Sequence, residues 1–111
     1  NNNNNNLNLN LAFNYGFKKK IREVLKKYKS QIETFDLNNQ DEIDNLFFLS
    51  SLTDPDILIR TGGYQRLSNF IMYNLTYTEL YFTETLWPDF KIDELKIILN
   101  KFSKVHRKYG L

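Results

Sequence analysis

Arg60 and Arg66 flank a pair of glycines, Gly62 and Gly63, in the stretch "ILIRTGGYQRLSNF", and Ser68 follows two residues after the second arginine. Guanidinium forks match the oxygens of a phosphate in bidentate fashion. Glycines can take positive φ and turn backbone N–H groups onto an anion. Ser68 adds a hydroxyl donor at close quarters. Together these residues describe a site for a ligand with several anionic oxygens, about the size of a diphosphate. The plainer alternative is two surface salt bridges and a glycine turn, and residue types alone leave both open. The spacing is not that of a P-loop, because there is no G-x-x-x-x-G-K-[ST].

The elements that must position this loop can be read on either side of it. "ILIR", Ile57 to Arg60, is apolar without alternation, as expected of an interior strand in a parallel sheet covered on both faces. Ligands of open α/β sheets sit beyond the carboxyl ends of strands, which is where Arg60 to Ser68 would lie. Asn69 is placed to cap a following helix, whose N-terminal dipole would favour negative charge at the loop. "NFIMYNLTYTELYF" fits a buried helix or a helix running into a strand, and the reading favoured is helix first, with the strand at "LYF".

Upstream, "TDPD" is a turn, with Pro55 disfavouring helix at Asp54. "FKKKIREVLKKYKSQI" carries Phe17, Ile21, Val24, Leu25, Tyr28 and Ile32 at helical spacing, with lysines and an arginine on the other face. That basic face suits phosphate or a membrane surface, although such faces are usually just solvated. "DEIDNLFFLSSL" predicts a shorter helix with Asp41 and Glu42 in its first turn, ending near Ser50. "LNLNLAFNY" alternates Leu7, Leu9, Leu11 and Phe13 and predicts a strand. "LWPDF" punctuates, and Leu95, Ile98, Leu99, Phe102 and Val105 mark a last helix from Asp93. The order of elements is that of an α/β fold with an open, mostly parallel sheet and flanking helices.

Composition sets bounds on partners. The 111 residues are 41% hydrophobic and 15% aromatic, as in a folded domain, with one core expected. A net charge of +2 and a pI near 8.8 permit anionic ligands without implying nucleic acid. No cysteine is present, so disulfides and thiolate metal sites are excluded. No apolar run nears the roughly 20 residues of a membrane span, and the chain is expected to be soluble. The opening run of six asparagines is low-complexity sequence that packs no core, so residues 1–6 are read as a tract preceding a single domain unit from residue 7 to 111, and residue 1 as a cut inside a longer protein.

"DPDILIRTGGYQRLSNFIMYNLTYTELYFTETLWPDF" closely resembles the carboxy-terminal signature of the cis-prenyltransferases, the undecaprenyl diphosphate and dehydrodolichyl diphosphate synthases. "LNLAFNYGFKKKI" resembles the block that precedes it, so the likeness runs from Leu7 to the end. It implies condensation of isopentenyl diphosphate with an allylic diphosphate such as farnesyl diphosphate, with release of diphosphate. By the resemblance Arg60, Arg66 and Ser68, with Gly62 and Gly63, hold the diphosphate of isopentenyl diphosphate. Glu79, in "TELYF", matches an acidic residue that binds Mg²⁺, a hard cation suited to oxygen ligands and phosphates. Asn14 lies in the "NYG" block near the substrates, and Lys108 and Gly110 stand for a terminal Arg-x-Gly that reaches across a dimer.

Three departures accompany the resemblance. Tyr64 replaces the family's usual glutamate after the glycine pair, Phe17 and Lys18 displace the arginine after "YG", and Lys108 takes the place of the terminal arginine. Lysine keeps the charge and loses the fork. Either a homodimer or a heterodimer with a cis-prenyltransferase-like subunit fits. The family's Asp-Gly-Asn block, with its metal-binding aspartate and allylic site, has no match here and is expected upstream, so this is the carboxy-terminal part of the domain. Two other readings stand beside it: a non-catalytic partner subunit, which would lose the arginine-serine loop and keep the terminal motif, and a basic nucleic-acid module on "KKKIREVLKKYK", which no recognition motif supports. The asparagine tract leans toward a eukaryote, dolichol synthesis and the cytosolic face of the endoplasmic reticulum, with peripheral membrane contact through the product. His106 has no ligand or acid at useful spacing, and Trp87, Tyr81 and Phe82 read as core or dimer-interface aromatics.

Overall fold

A computed structural model describes residues 9–47 and 53–107. Helix α1 spans Phe17–Ser30 and helix α2 Gln40–Asp44; strand β1 is Ile57–Arg60, strand β2 Glu79–Phe82, and helix α3 Ile92–Phe102. Short 3₁₀ turns occupy Tyr73–Leu75 and Trp87–Asp89.

β1 and β2 pair in parallel, Ile57 opposite Glu79 through Arg60 opposite Phe82. Parallel strands need a long crossover, and residues 61–78 supply it, leaving the sheet at the carboxyl end of β1 and returning at the amino end of β2. The expected parallel sheet is thus present as two strands among the described residues. β1 does not have both faces covered: all four of its residues are half-buried. β2 alternates, with Glu79 and Tyr81 half-buried and Leu80 and Phe82 exposed.

α1 forms where the 3.6-residue spacing of Phe17, Val24 and Tyr28 sets an apolar stripe, and Lys27 and Lys29 in its last turn complement the helix dipole. It stops at Ser30, two residues short of Ile32, as the Gln31 N–H turns back to the Tyr28 carbonyl. α2 starts at an Asn39 cap whose side chain accepts from the Asp41 N–H at 3.1 Å. It is shorter than its sequence pattern implies and passes at Asn45 into a turn; Ser50 lies outside the described residues. In α3 only Ile98 is buried, while Ile92, Ile97 and Leu99 are exposed.

Two other expectations are corrected. Residues 9–13 form no strand, and Leu9, Leu11 and Phe13 are 64–81% exposed. Alternation selects a face only when a neighbouring strand supplies the hydrogen bonds, and none of the described strands lies beside this stretch; Leu7 lies outside the described residues. The helix expected after Asn69 is also replaced, by an irregular run with a single 3₁₀ turn. Aromatic and β-branched residues (Ile71, Tyr73, Thr76, Tyr77, Thr78) weaken helix there. Side-chain bonds take over: buried Asn74 donates to Asp54 at 2.9 Å, and the Thr78 hydroxyl donates to the Pro55 carbonyl at 2.6 Å.

Aromatic stacking joins these pieces. Phe47 lies flat on Tyr73 at 3.8 Å between centroids, with Phe17 stacked beyond it at 6.4 Å. The Tyr73 hydroxyl donates to Asp44 at 2.5 Å, and Gln40 donates to both oxygens. At the other end, Arg107 pairs with Asp56 and donates to the Tyr77 carbonyl at 2.9 Å, tying the chain after α3 to the entry of both strands. The apolar core is small: Leu46 and Ile98 are its buried members among the described residues. The chain exposes 9559 Å², where a folded monomer of 13.3 kDa exposes about 6,500 Å².

Candidate functional site

The carboxyl end of β1 leads directly into the loop. Gly62 and Gly63 sit at φ 87° and 78°, a left-handed pair that side-chain-bearing residues reach only under strain. Their N–H groups do not converge on open space, as the sequence reading expected. Each donates at 2.9 Å, Gly62 to the Thr85 carbonyl and Gly63 to that of Thr83, while the Thr83 N–H donates to the Arg60 carbonyl. The glycines therefore extend the strand pairing past its end and fix where the loop departs. These two N–H groups are therefore not donors for an anion.

The loop closes on itself six residues later. Arg60 Nη1 donates to the Arg66 carbonyl at 2.7 Å, bringing both arginines to one rim. Tyr64 lies between them in sequence and in space, its ring centroid 4.1 Å from the Arg66 Cζ and 5.7 Å from that of Arg60. Among the described residues neither guanidinium pairs with a carboxylate. Among these residues the two positive charges stand together at the strand end without a carboxylate partner. Arg66 and Ser68 are exposed and Arg60 is half-buried, so the rim is open to a ligand.

After Ser68 the chain reverses. Ser68 and Asn69 both take positive φ, 50° and 63°. Asn69 does cap a helix, but it is α1 and not a following one. The Asn69 carbonyl accepts from the Phe17 N–H at 2.8 Å, and its Oδ1 accepts from the Lys18 N–H at 2.9 Å. Two of the orphan N–H groups at the start of α1 are satisfied by a residue 51 positions away. The N-cap residue itself, Gly16, has ordinary extended φ and no side chain to offer. Its smallness matters for another reason: a Cβ there would lie 2.8 Å from the Asn69 Nδ2. The "NYG" and "RLSN" blocks are thus pinned to each other. No local pattern in the sequence signals this bond.

The other candidate residues fall elsewhere. Glu79 opens β2 at the amino end of the sheet, its N–H donating to the Asp56 carbonyl at 3.0 Å. Three residues of strand, about 10 Å, separate its level from Arg60. By register it shares a sheet face with Ile57, Ile59 and Tyr81, and Arg60 belongs to the other. Asn14, at φ 51°, lines a shallow hollow of about 120 Å³ at the start of α1 together with Lys19, Lys20 and Glu23. A larger hollow of about 290 Å³, between the end of α1 and α2, is lined by Lys27, Gln31, Phe35, Glu42 and Leu46 and holds none of the candidate residues. Lys108 and Gly110 lie outside the described residues.

Among the described residues no three His, Cys, Asp or Glu side chains gather closely enough to hold a metal ion. Glu79 alone does not assemble a magnesium site. The perturbed ionisable groups are structural. Burial and the Asp44 hydrogen bond push Tyr73 up to about 12, and the bonds from Tyr73 and then Gln40 hold Asp44 below its ordinary value. Burial also raises Tyr15, which packs edge-on against Phe70 beside the loop.

A parallel strand ending in an arginine pair that no described carboxylate neutralises narrows the candidates, and comparison with known proteins decides among them. Residues 1–110 match the prenyltransferase family described as undecaprenyl diphosphate synthase. The chain belongs to the cis-prenyltransferase family. Among similar proteins are the isoprenyl transferase of Aquifex pyrophilus, 49% identical over 100 residues that are 89% of this chain and 42% of that one, and the ditrans,polycis-undecaprenyl-diphosphate synthase ((2E,6E)-farnesyl-diphosphate specific) of Coxiella burnetii, 41% identical over 91 residues, 82% of this chain and 38% of that one. Solved structures share the fold, among them the two that follow. A probable undecaprenyl diphosphate synthase from Campylobacter jejuni superposes with a TM-score of 0.76 at 32% identity, covering 92% of this chain and 47% of that one. The lavandulyl diphosphate synthase of Lavandula x intermedia, in complex with dimethylallyl diphosphate, gives 0.78 at 31% identity over 87% and 44%. This cis-prenyltransferase chain spans less than half the length of these relatives. The small parallel sheet with flanking helices is the corresponding share of the cis-prenyltransferase fold.

Proposed function

We propose that the full-length protein transfers prenyl groups, adding isopentenyl diphosphate to an allylic diphosphate such as farnesyl diphosphate, and that the loop from Arg60 to Ser68 holds the diphosphate of the isopentenyl substrate. The observation that carries this reading is the pair of guanidinium groups gathered on one rim of the strand end with no carboxylate among the described residues to neutralise them. An anion with oxygens on two phosphorus centres offers each fork a bidentate partner, and the Ser68 hydroxyl lies within the same loop. The substrate would be anchored by its charged end, leaving its double bond free to meet the allylic carbon. Such a loop contributes by orienting one reactant and stabilising negative charge.

The names of relatives support the substrate class. The Coxiella burnetii synthase is described as specific for farnesyl diphosphate, and the lavender enzyme is seen with dimethylallyl diphosphate. The described residues do not assemble a magnesium site. For the product, the proposal is a polyprenyl diphosphate: the asparagine tract leans to dolichol synthesis at the cytosolic face of the endoplasmic reticulum, the bacterial relatives to the undecaprenyl carrier, and product chain length separates them. Retention of the arginine-serine loop favours a catalytic chain over a non-catalytic partner subunit, within either a homodimer or a heterodimer.

The test is steady-state kinetics of the full-length enzyme with each substrate varied in turn. Arg60→Ala and Arg66→Ala each remove charge-assisted bonds worth about 1.5–3 kcal/mol, so the KM for isopentenyl diphosphate should rise about tenfold or more. Loss of farnesyl diphosphate saturation with unchanged use of isopentenyl diphosphate would overturn the assignment.

A further inference from the structure

Tyr64 is half exposed, at 51%, yet it is the one large aromatic ring in the loop that carries both arginines. Its surroundings are not those of a core residue. Its ring partners are two cations, with Arg66 closest, and it follows directly on the left-handed glycine pair that sets the loop's departure from the sheet. Two guanidinium groups on one short loop repel each other, and side chains as long as arginine lose much rotamer freedom when they are held in place. The negative face of an aromatic ring attracts cations without neutralising them.

The donor inventory agrees with this. Arg60 commits Nη1 to the Arg66 carbonyl and keeps its other N–H groups, while none of the N–H donors of the Arg66 guanidinium is engaged among the described residues. Arg66 is therefore held by its ring contact and not by hydrogen bonds. Its forked edge stays available.

We propose that Tyr64 is a positioning residue: its ring gathers the guanidiniums of Arg60 and Arg66 into a preset two-pronged clamp for a diphosphate. The inference rests on the functional reading above and deepens it. Tyr64 sets how tightly the diphosphate group is held and does not touch the reacting carbon atoms. What acts is the face of the ring, so the hydroxyl is dispensable.

The experiment uses the full-length enzyme with Tyr64→Phe, Tyr64→Trp and Tyr64→Leu, and two measures: the KM for isopentenyl diphosphate, and the inhibition constant of inorganic diphosphate competing with it. Phenylalanine and tryptophan keep the ring face, and both measures should stay within about twofold. Leucine keeps apolar bulk but has no ring, and both should rise together about five- to thirtyfold, the combined value of two exposed cation–π contacts. The kcat at saturating substrate should change far less, and the thermal midpoint of the leucine variant should fall by no more than a few degrees. If leucine leaves both constants unchanged, or phenylalanine loses as much as leucine, the clamp is refuted. Arg60→Ala and Arg66→Ala, measured alongside, separate the two levels. If they leave the KM for isopentenyl diphosphate unmoved, the diphosphate site itself is misassigned; if they raise it and Tyr64→Leu does not, only the role of Tyr64 fails.

Discussion

Replacing Asn69 by alanine in the full-length protein removes the side chain that caps α1, because Gly16 at the N-cap position has none. Losing such a cap costs about 0.5–2 kcal/mol. Asn69 also sits at φ 63°, where alanine adds roughly 1–2 kcal/mol that asparagine largely avoids. The total is about 1.5–4 kcal/mol. Glycine loses the cap but fits the backbone, and aspartate keeps both an acceptor and tolerance of positive φ while adding favourable charge at the helix start. The expected order of stability is therefore Asp close to Asn, then Gly, then Ala. Gly16→Ala reaches the same bond from the other side. Its Cβ would press within 2.8 Å of the Asn69 Nδ2, and turning that carboxamide away breaks the bond to the Lys18 N–H. Gly16→Ala should then cost about as much as the cap, but in an Asn69→Gly background only alanine's poorer fit at an N-cap should remain. Denaturant unfolding of the four proteins in this cycle gives the coupling energy, expected near the value of the cap itself. Strict additivity of the two substitutions, or equal stability of the alanine and glycine variants at position 69, would refute the reasoning.

Two further outcomes are expected. Tyr73 has its folded pKa raised from 10.0 to about 12, so it favours the fold while protonated: its contribution is complete below pH 10 and is lost as pH rises through about 12. Unfolding measured across that window should lose an alkaline phase in Tyr73→Phe, and an unchanged profile would show that the bond to Asp44 contributes nothing. For the chain from Asn1 to Leu111 expressed alone, the roughly 3,000 Å² of surface beyond that of a folded monomer of its mass should bind an apolar dye strongly. Trp87, the single tryptophan and 75% exposed, should emit as a solvated indole that iodide quenches freely, and no prenyl transfer should be seen. A dye-silent, quench-protected chain that turns over would overturn this.

Legibility in the sequence followed the range of the interactions involved. α1 and α3 announce themselves because an amphipathic stripe is a property of a single segment. β1 is readable as an unbroken apolar run between a proline turn and two glycines, and β2 at its "LYF" core. The arginines, the serine and the glycines are visible as types, and their gathering at a strand end follows from general rules for open sheets. What the glycine N–H groups bind was not visible, because their acceptors at Thr83 and Thr85 lie some 20 residues on and appear only once β2 is in register. The stretch after Asn69 misled for a similar reason: Phe70, Tyr73 and Tyr77 sit at helical spacing, but Asp54, Pro55 and Asp44 take up the local polar groups. Residues 9–13 show the reverse failure, a strand pattern without a described strand beside it.

The bond from Asn69 to the start of α1 also bears on the order in which the protein can be assembled as it is synthesised. Among the described helices α1 emerges first, yet the residue that completes it follows 51 positions later. At about 5–20 residues per second the interval is roughly 3–10 seconds. A 14-residue helix that buries none of its side chains fully is marginal in water through that interval. The earliest of the described helices is thus completed only after α2 and β1 have been made, in the same step that sets the diphosphate loop in place.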